Sequence, residues 1–358
     1  MAFKSQVFYA AQQPGASKEE IISNLNRLLT KLPLDQAIAS HDQVAVKSHF
    51  GDENNQTHVP PWQLKVVIEA IQKQGASPFI TETSVLYKSP RDTGVGHLQL
   101  ANQHGFSQET MGVPIIMADG LVGSSEVAVP VKGEIFEEVL IAEAAVQADA
   151  LFVFSHVTGH LGIGVGAAIK NLGMGLSSRK GKLRQHSTSK PSVNQRACTG
   201  CRVCVQWCPV EAIAMIDKKA QINHDICIGC GQCLTVCRFD AVKHNWGRSP
   251  EDLQKRVAEH AQGALWQKEG KALFINSLNQ ITKDCDCIPG NQTPLIQDLG
   301  FIAGTDPVAL DQAGMDLILK NSGKTLREMA YPGIDPTVQI AHAVKIGLGS
   351  NEYELIEV

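Results

Sequence analysis

The chain has 358 residues, of which 43% are hydrophobic and 19% charged, with 36 acidic against 32 basic side chains and a formal charge of −4. This mixture is too apolar for a disordered chain and too evenly charged for a general nucleic-acid binder. No apolar run approaches the ~20 residues of a membrane helix, and the first residues lack the apolar core of a secretory leader, so the cytoplasm is the expected compartment.

The predicted elements alternate between helix and strand. Ser17 and Glu20 form a capping-box pattern opening an amphipathic helix with Ile21, Ile22, Leu25, Leu28, Leu29 and Leu32 on its apolar side. Gln43 to Lys47 reads as a strand, Leu64 to Gln74 as a helix stopped by Gly75, and Pro78 to Thr81 as the next strand. Leu151 to Ser155 is a short apolar run suited to a buried parallel strand. Toward the C-terminus, Leu273 to Asn276 and Leu299 to Ile302 are strand-like. Asp306 before Pro307 marks the N-cap of a helix running to about Lys320. The alternation predicts a layered α/β body.

Residues 155–190 are rich in glycine and in basic side chains. No Asp or Glu occurs from Ala150 to Val210, whereas the span holds Lys170, Arg179, Lys180, Lys182, Arg184, Lys190, Arg196 and Arg202. In an acidic chain, this asymmetry points to a site for a small anionic molecule, or to balance for negative charge close by. A solvated basic face is the other reading. Ile169 before Lys170 excludes a phosphate-binding P-loop, and Gly162-x-Gly164-x-x-Ala167 lacks the later acid of a dinucleotide site. Gly162, Gly164 and Gly166 are instead candidates for close backbone approach to a bound cofactor. His156, His160, His186 and Lys170 are the candidate catalytic residues, the histidines as proton carriers or metal ligands and the lysine as base or nucleophile.

Eight of the ten cysteines lie between Cys198 and Cys237. Cys198-x-x-Cys201-x-x-Cys204-x-x-x-Cys208-Pro209 is the bacterial-ferredoxin spacing, and Cys227, Cys230, Cys233 and Cys237 repeat it with Arg238 in place of the proline. Three thiolates of a [4Fe-4S] cluster come from one tight loop and the fourth from the other repeat. Cys198, Cys201, Cys204 and Cys237 are therefore assigned to one cluster. Cys227, Cys230, Cys233 and Cys208 are assigned to the second. Zinc sites favour paired rather than tripled cysteines. The domain expectation is an α/β body formed by residues 1–192 and 246–358 with a ferredoxin-like two-cluster module at 193–245; two separate flanking domains are the alternative.

The remaining cysteines, Cys285 and Cys287, flank Asp286. Three readings stay open: ligands to a further metal or cofactor in the α/β body, a redox-active or nucleophilic thiol, or buried structural cysteines.

The sequence resembles the domain-of-unknown-function 362 family in its iron–sulfur form. The matching segments are Val46-Lys-Ser-His-Phe-Gly51, Glu82-Thr-Ser-Val-Leu-Tyr87 with Arg91, Ser155-His-Val-Thr-Gly-His160 and Gly166-Ala-Ala-Ile-Lys-Asn-Leu-Gly-Met-Gly175. They continue with His186-Ser187, Cys285-Asp-Cys287 and Asp306-Pro-Val-Ala-Leu-Asp311. His160, Gly164, Lys170 and His186 also fall at the spacings of a site motif in the nickel-pincer lactate racemase family. That resemblance implies a lysine covalently joined to a cofactor and histidines that ligate nickel or move protons. The run Ala167-Ala-Ile169 departs from the Gly-Gly-Arg of that family, which also lacks a ferredoxin insert.

The expected function is an iron–sulfur oxidoreductase relaying electrons to a His/Lys/Cys-lined site, with a partner protein or small molecule as electron donor. The alternatives are an electron carrier or docking protein without its own chemistry, and a racemase-like enzyme with structural clusters. No nucleic acid and no membrane span are expected.

Overall fold

A strand buried on both faces needs helices above and below it. The computed structural model, which describes residues 4–186, 190–227, 231–244 and 247–358, meets that need with one eight-stranded sheet. Its strands are β1 (Ser5–Ala11), β2 (Gln43–Lys47), β3 (Ser77–Glu82), β4 (Ile115–Met117), β5 (Ala150–His156), β6 (Ala272–Ser277), β7 (Gly300–Gly304) and β8 (Tyr353–Glu357). Across the sheet the order is β8-β1-β7-β6-β5-β2-β3-β4. All run parallel except β7, which lies antiparallel between β1 and β6. Strands from before and after the cysteine-rich segment thus share one sheet.

Side chains alternate faces along each strand. In β5, Phe152 and Phe154 enter one core with Leu25 and Leu28 of α1 (Lys18–Leu29) and Leu64 and Ile68 of α2 (Pro61–Lys73). Leu151 and Val153 enter the opposite core. There they meet α3 (Ala168–Gly173), α5 (Pro250–Ala264) and α6 (Pro307–Ser322) through Ile169, Val257 and Leu310. In the chain, α4 (Arg179–His186) lies between α3 and α5.

The local signals hold. Ser17 Oγ accepts the Glu20 backbone N–H, and the Glu20 carboxylate accepts that of Ser17. Gly75 ends α2 in the left-handed region, at φ +80°. Asp306 caps α6 by accepting the N–H groups of Val308 and Ala309 through one carboxylate oxygen. Its other oxygen accepts from Ser5 Oγ and the Ser350 N–H, each at 2.8 Å, tying both terminal strands to the same cap. The sequence expectations did not include β1, β8 or α5. The terminal strands carry Ser5, Gln6, Glu354 and Glu357, so no clear alternation marks them, and distant pairing forms them.

The cysteine-rich segment consists of two similar halves 29 residues apart, from Cys198 to Cys227. Arg202 and Gly231 both take left-handed backbone at the start of a short helix, and Glu211 and Asp240 both take it after the last cysteine of each run. Asn194 N–H donates to Ala241 O and Asn223 N–H to Ala212 O, each at 2.7 Å, so each half closes on the other. Cys230 lies outside the described residues. Among the described residues, no helix is long and apolar enough to cross a membrane.

Candidate functional site

Parallel strands leave a crevice beyond their carboxyl ends, where loops diverge. Here β2, β3 and β5 end at a cavity of about 660 Å³ whose lining includes His49, Glu82, Arg91, His156, Lys170 and Cys287. The structure brings together around it His156, His160, Lys170, His186, Cys285 and Cys287, along with Gly162 and Gly166. Gly164 is turned away, where a side chain would meet Ile334 and Pro336.

Behind the wall lies a buried charge network. Glu82 forms ion pairs with Lys47 and, at 3.7 Å, with Arg91. Arg91 also binds the Asp52 carboxylate through Nε and Nη2, at 3.1 and 3.0 Å, and its Nη1 lies 3.0 Å from His49 Nε2. Lys47 donates to Asn171 Oδ1 at 2.7 Å, linking β2 to α3. Each of these ions therefore has a partner, as burial requires.

Two cavity lysines differ. Lys182 Nζ donates to Thr83 Oγ1 and Ser177 O, both neutral acceptors. Lys170 Nζ lies 3.8 Å from Cys287 Sγ. Among the described residues, neither lysine has a carboxylate at ion-pair distance. Burial lowers both to about 8, an effect that Asp286 and Asp119, respectively, partly oppose. Other basic residues of the stretch point elsewhere: Lys180 pairs with Glu126, and Arg184 lies over the Phe136 ring.

The histidines divide by their hydrogen bonds. Both nitrogens of His156 are engaged: Nδ1 lies 2.9 Å from Asp286 Oδ2, and Nε2 faces the carbonyls of Asn279 and Gln280. Burial opposes its charge, but Asp286 and the two carbonyls outweigh it and raise its pKa. His156 is thus an imidazolium that anchors the Cys285-Asp286-Cys287 loop, and it has no free nitrogen for proton transfer. His160 Nδ1 accepts the backbone N–H groups of Gly162 and Ile163, so the proton sits on Nε2. Burial keeps His160 neutral, and burial brings His186 to about 3.

Cys285 and Cys287 are joined as a disulfide. Their sulfurs and a ring nitrogen of His160 lie within 4.8 Å of one another, a grouping that could hold a metal ion once the disulfide is opened.

Sequence reasoning missed Lys47, His49, Asp52 and Glu82 as members of the site, and named Lys182 only as one of many basic residues of its stretch. It also missed Asp311, which accepts the N–H groups of Ala168 and Ile169, each at 2.9 Å, and so holds the start of the helix that carries Lys170. The segments quoted for the family resemblance contain most of these residues, but no spacing rule marks them.

The cysteine-rich unit packs against α4. Lys182 and His186 face the cavity. Leu183 instead joins Cys198, Cys204 and Cys233 in a separate core. Leu86 belongs to both, lining the cavity and packing among the cysteines. Cys198, Cys201, Cys204 and Cys237 line one small pocket of this unit. Cys208, Cys227 and Cys233 line a second. Each pocket thus combines cysteines of both halves.

The fold and site define an α/β protein with a cation-lined cavity beside a duplicated cysteine-rich unit. The chain belongs to the family described as Domain of unknown function (DUF362), whose profile matches residues 44–316. No curated protein sequence matches it. A solved structure of the lactate racemase apoprotein from Thermoanaerobacterium thermosaccharolyticum is similar at 11% identity and a TM-score of 0.45, over 88% of this chain and 57% of that one.

Proposed function

We propose that this chain is an iron–sulfur redox protein in which two [4Fe-4S] clusters exchange electrons with a small anionic ligand in the cavity. One observation carries the reading. The four cysteines assigned to one cluster surround one pocket, and the three described cysteines of the other set surround the second. Four thiolates from a tight triple plus a crossed fourth suit a cubane cluster. Such clusters supply single electrons when bound.

The chain's own residues do the rest. Lys170 and Lys182 attract the anion, and His160 offers an Nε2–H to it. The Glu82 network keeps the wall rigid. A cavity of about 660 Å³ near Lys170, where a pure carrier would need only packed core, favours a bound ligand. The donor is a low-potential one-electron carrier, either a protein or a small molecule.

The test is anaerobic purification with iron and sulfide analysis and EPR of the reduced protein. The reading expects about eight irons and eight labile sulfides per chain. Zinc without labile sulfide overturns it. A second reading, a cofactor covalently held by Lys170, draws on His160, Lys170 and His186 lining one cavity at the spacing noted above. Added mass on the peptide carrying Lys170 supports it, and an unmodified peptide from the native preparation excludes it.

A further inference from the structure

We infer that Cys285 and Cys287 are a catalytic redox pair, cycling between disulfide and dithiol at the wall of the cavity, with Cys287 as the thiolate facing Lys170. The source of electrons rests on the iron–sulfur reading; the chemistry of the pair does not.

The surroundings of the pair carry the argument. A disulfide stabilises a fold mainly by restraining the unfolded chain, and most when it closes a long loop. The loop here holds a single residue, Asp286, between the two cysteines, so a purely structural role contributes least. Both cysteines line the cavity rather than the core behind it. Lys170 Nζ lies 3.8 Å from Cys287 Sγ, where an ammonium stabilises a thiolate. Asp286 is held by His156 at 2.9 Å and by Thr57 Oγ1 at 3.1 Å. Its carbonyl also accepts the Asp52 N–H at 2.9 Å. The loop between the sulfurs is thereby fixed, so they stay within bonding reach after the bond opens. His160, the third member of the group, has its Nδ1 occupied by two backbone N–H groups, so with those contacts in place Nε2 carries a proton and the ring would ligate a metal only after giving them up.

The reduction balances simply. Two electrons break the Sγ–Sγ bond, Cys287 is left as the thiolate beside the Lys170 ammonium, and Cys285 takes one proton from solvent. Clusters held by Cys198, Cys201, Cys204 and Cys237 and by Cys208, Cys227, Cys230 and Cys233 would supply the two electrons one at a time, and the low-potential donor would replace them. The path is short. One helix, ~10 Å across, separates the cysteine-rich unit from the cavity. Leu86 touches both sides, and Gly231, between Cys230 and Cys233, packs directly on Leu183 of that helix.

The experiment uses the intact, anaerobically purified protein, titrated with titanium(III) citrate and then treated with iodoacetamide. The wild type should take up about four electrons per chain, and a Cys285→Ser/Cys287→Ser variant with unchanged iron about two. The wild-type peptide spanning both cysteines should be unlabelled before reduction and carry a label on each cysteine after it. Equal electron counts with the peptide unlabelled would overturn the proposal. So would labelling before any reductant, or a stoichiometric transition metal retained by the reduced wild type and lost from the variant. The labelling arm needs no variant. If the protein holds no iron, the iron–sulfur reading fails separately, and dithiothreitol redox buffers then decide the pair. Reversible labelling across the buffer range supports it, and resistance at every ratio sinks it.

Discussion

Lys170 Nζ and Cys287 Sγ face each other at 3.8 Å across the cavity wall, although 117 residues separate them in the chain. The ammonium reaches that point because Asp311 anchors the start of its helix, and the sulfur because the His156–Asp286 pair anchors its loop. Replacing Lys170 by Met keeps the volume and removes the charge. In the reduced protein at pH 7, iodoacetamide trapping of Cys287 is expected to slow by roughly tenfold, one unit of thiol pKa. An unchanged rate, with circular dichroism intact, removes Lys170 from the thiolate's environment.

Glu82 is shared by Lys47 and Arg91, all three buried. Glu82→Gln leaves the Lys47 charge without its only ion-pair partner among the described residues. Removing one member of a buried pair costs about 3–5 kcal/mol. Urea unfolding should show that loss. A change under 1 kcal/mol would mean that water or anions already screen the network.

Asp311 binds two backbone N–H groups and the Asn276 amide, at 2.8 to 2.9 Å. Asp311→Asn points an NH2 group at one of those donors, at an expected cost of about 1–3 kcal/mol. Because the same contact aims Lys170, this variant should also slow Cys287 trapping. A melting shift without any change in trapping would confine Asp311 to a purely stabilising role.

Stability should fall on acidification below neutrality. Burial, the largest cause in each case, holds His58 at about 4 and His260 at about 3, and keeps His49, His97 and His160 well below 6.5. The unfolded chain therefore binds more protons than the folded one below pH 6.5. The stability these histidines contribute is present above that pH and drains away as the pH falls toward their folded values. His186, at about 3, and His244, at about 4, are lowered by burial in the same way. Asp119 and Asp311, raised by burial to about 6, and His156, raised against its burial by Asp286, act in the opposite direction, but they are three groups against seven. The urea midpoint should drop steadily from pH 7 to pH 5. A flat or rising midpoint would show that these histidines are hydrated.

The crossed cysteine assignment makes its own prediction. Cys237→Ala should perturb the same EPR signal as Cys198→Ala, and Cys208→Ala the same signal as Cys227→Ala. If Cys208→Ala instead matches Cys198→Ala, each run of four ligates its own cluster.

Much of this protein is legible in its sequence where the signal is local. The Ser17–Glu20 capping box, the Asp306 cap and the 43–47 and 151–155 strands depend on near neighbours, and all form as expected. The thiol spacing from Cys198 to Cys237 is equally local, because a cluster-binding loop must be short. His160, Lys170 and His186 stood out by type and density, and the structure gathers them at one cavity with Cys285 and Cys287. Folding alone decided which of them are available. His156 looks like its neighbour His160 in the sequence, but Asp286, 130 residues away, takes its Nδ1 and fixes it as an anchor. Glu82, Lys47 and Arg91 carry no motif, since each is an ordinary surface residue until the ends of β2 and β3 bury it beside a partner. Local patterns encode elements because hydrogen bonding and periodicity act over a few residues. Pairing of buried charges acts through space, and only the sheet order settles which charges meet.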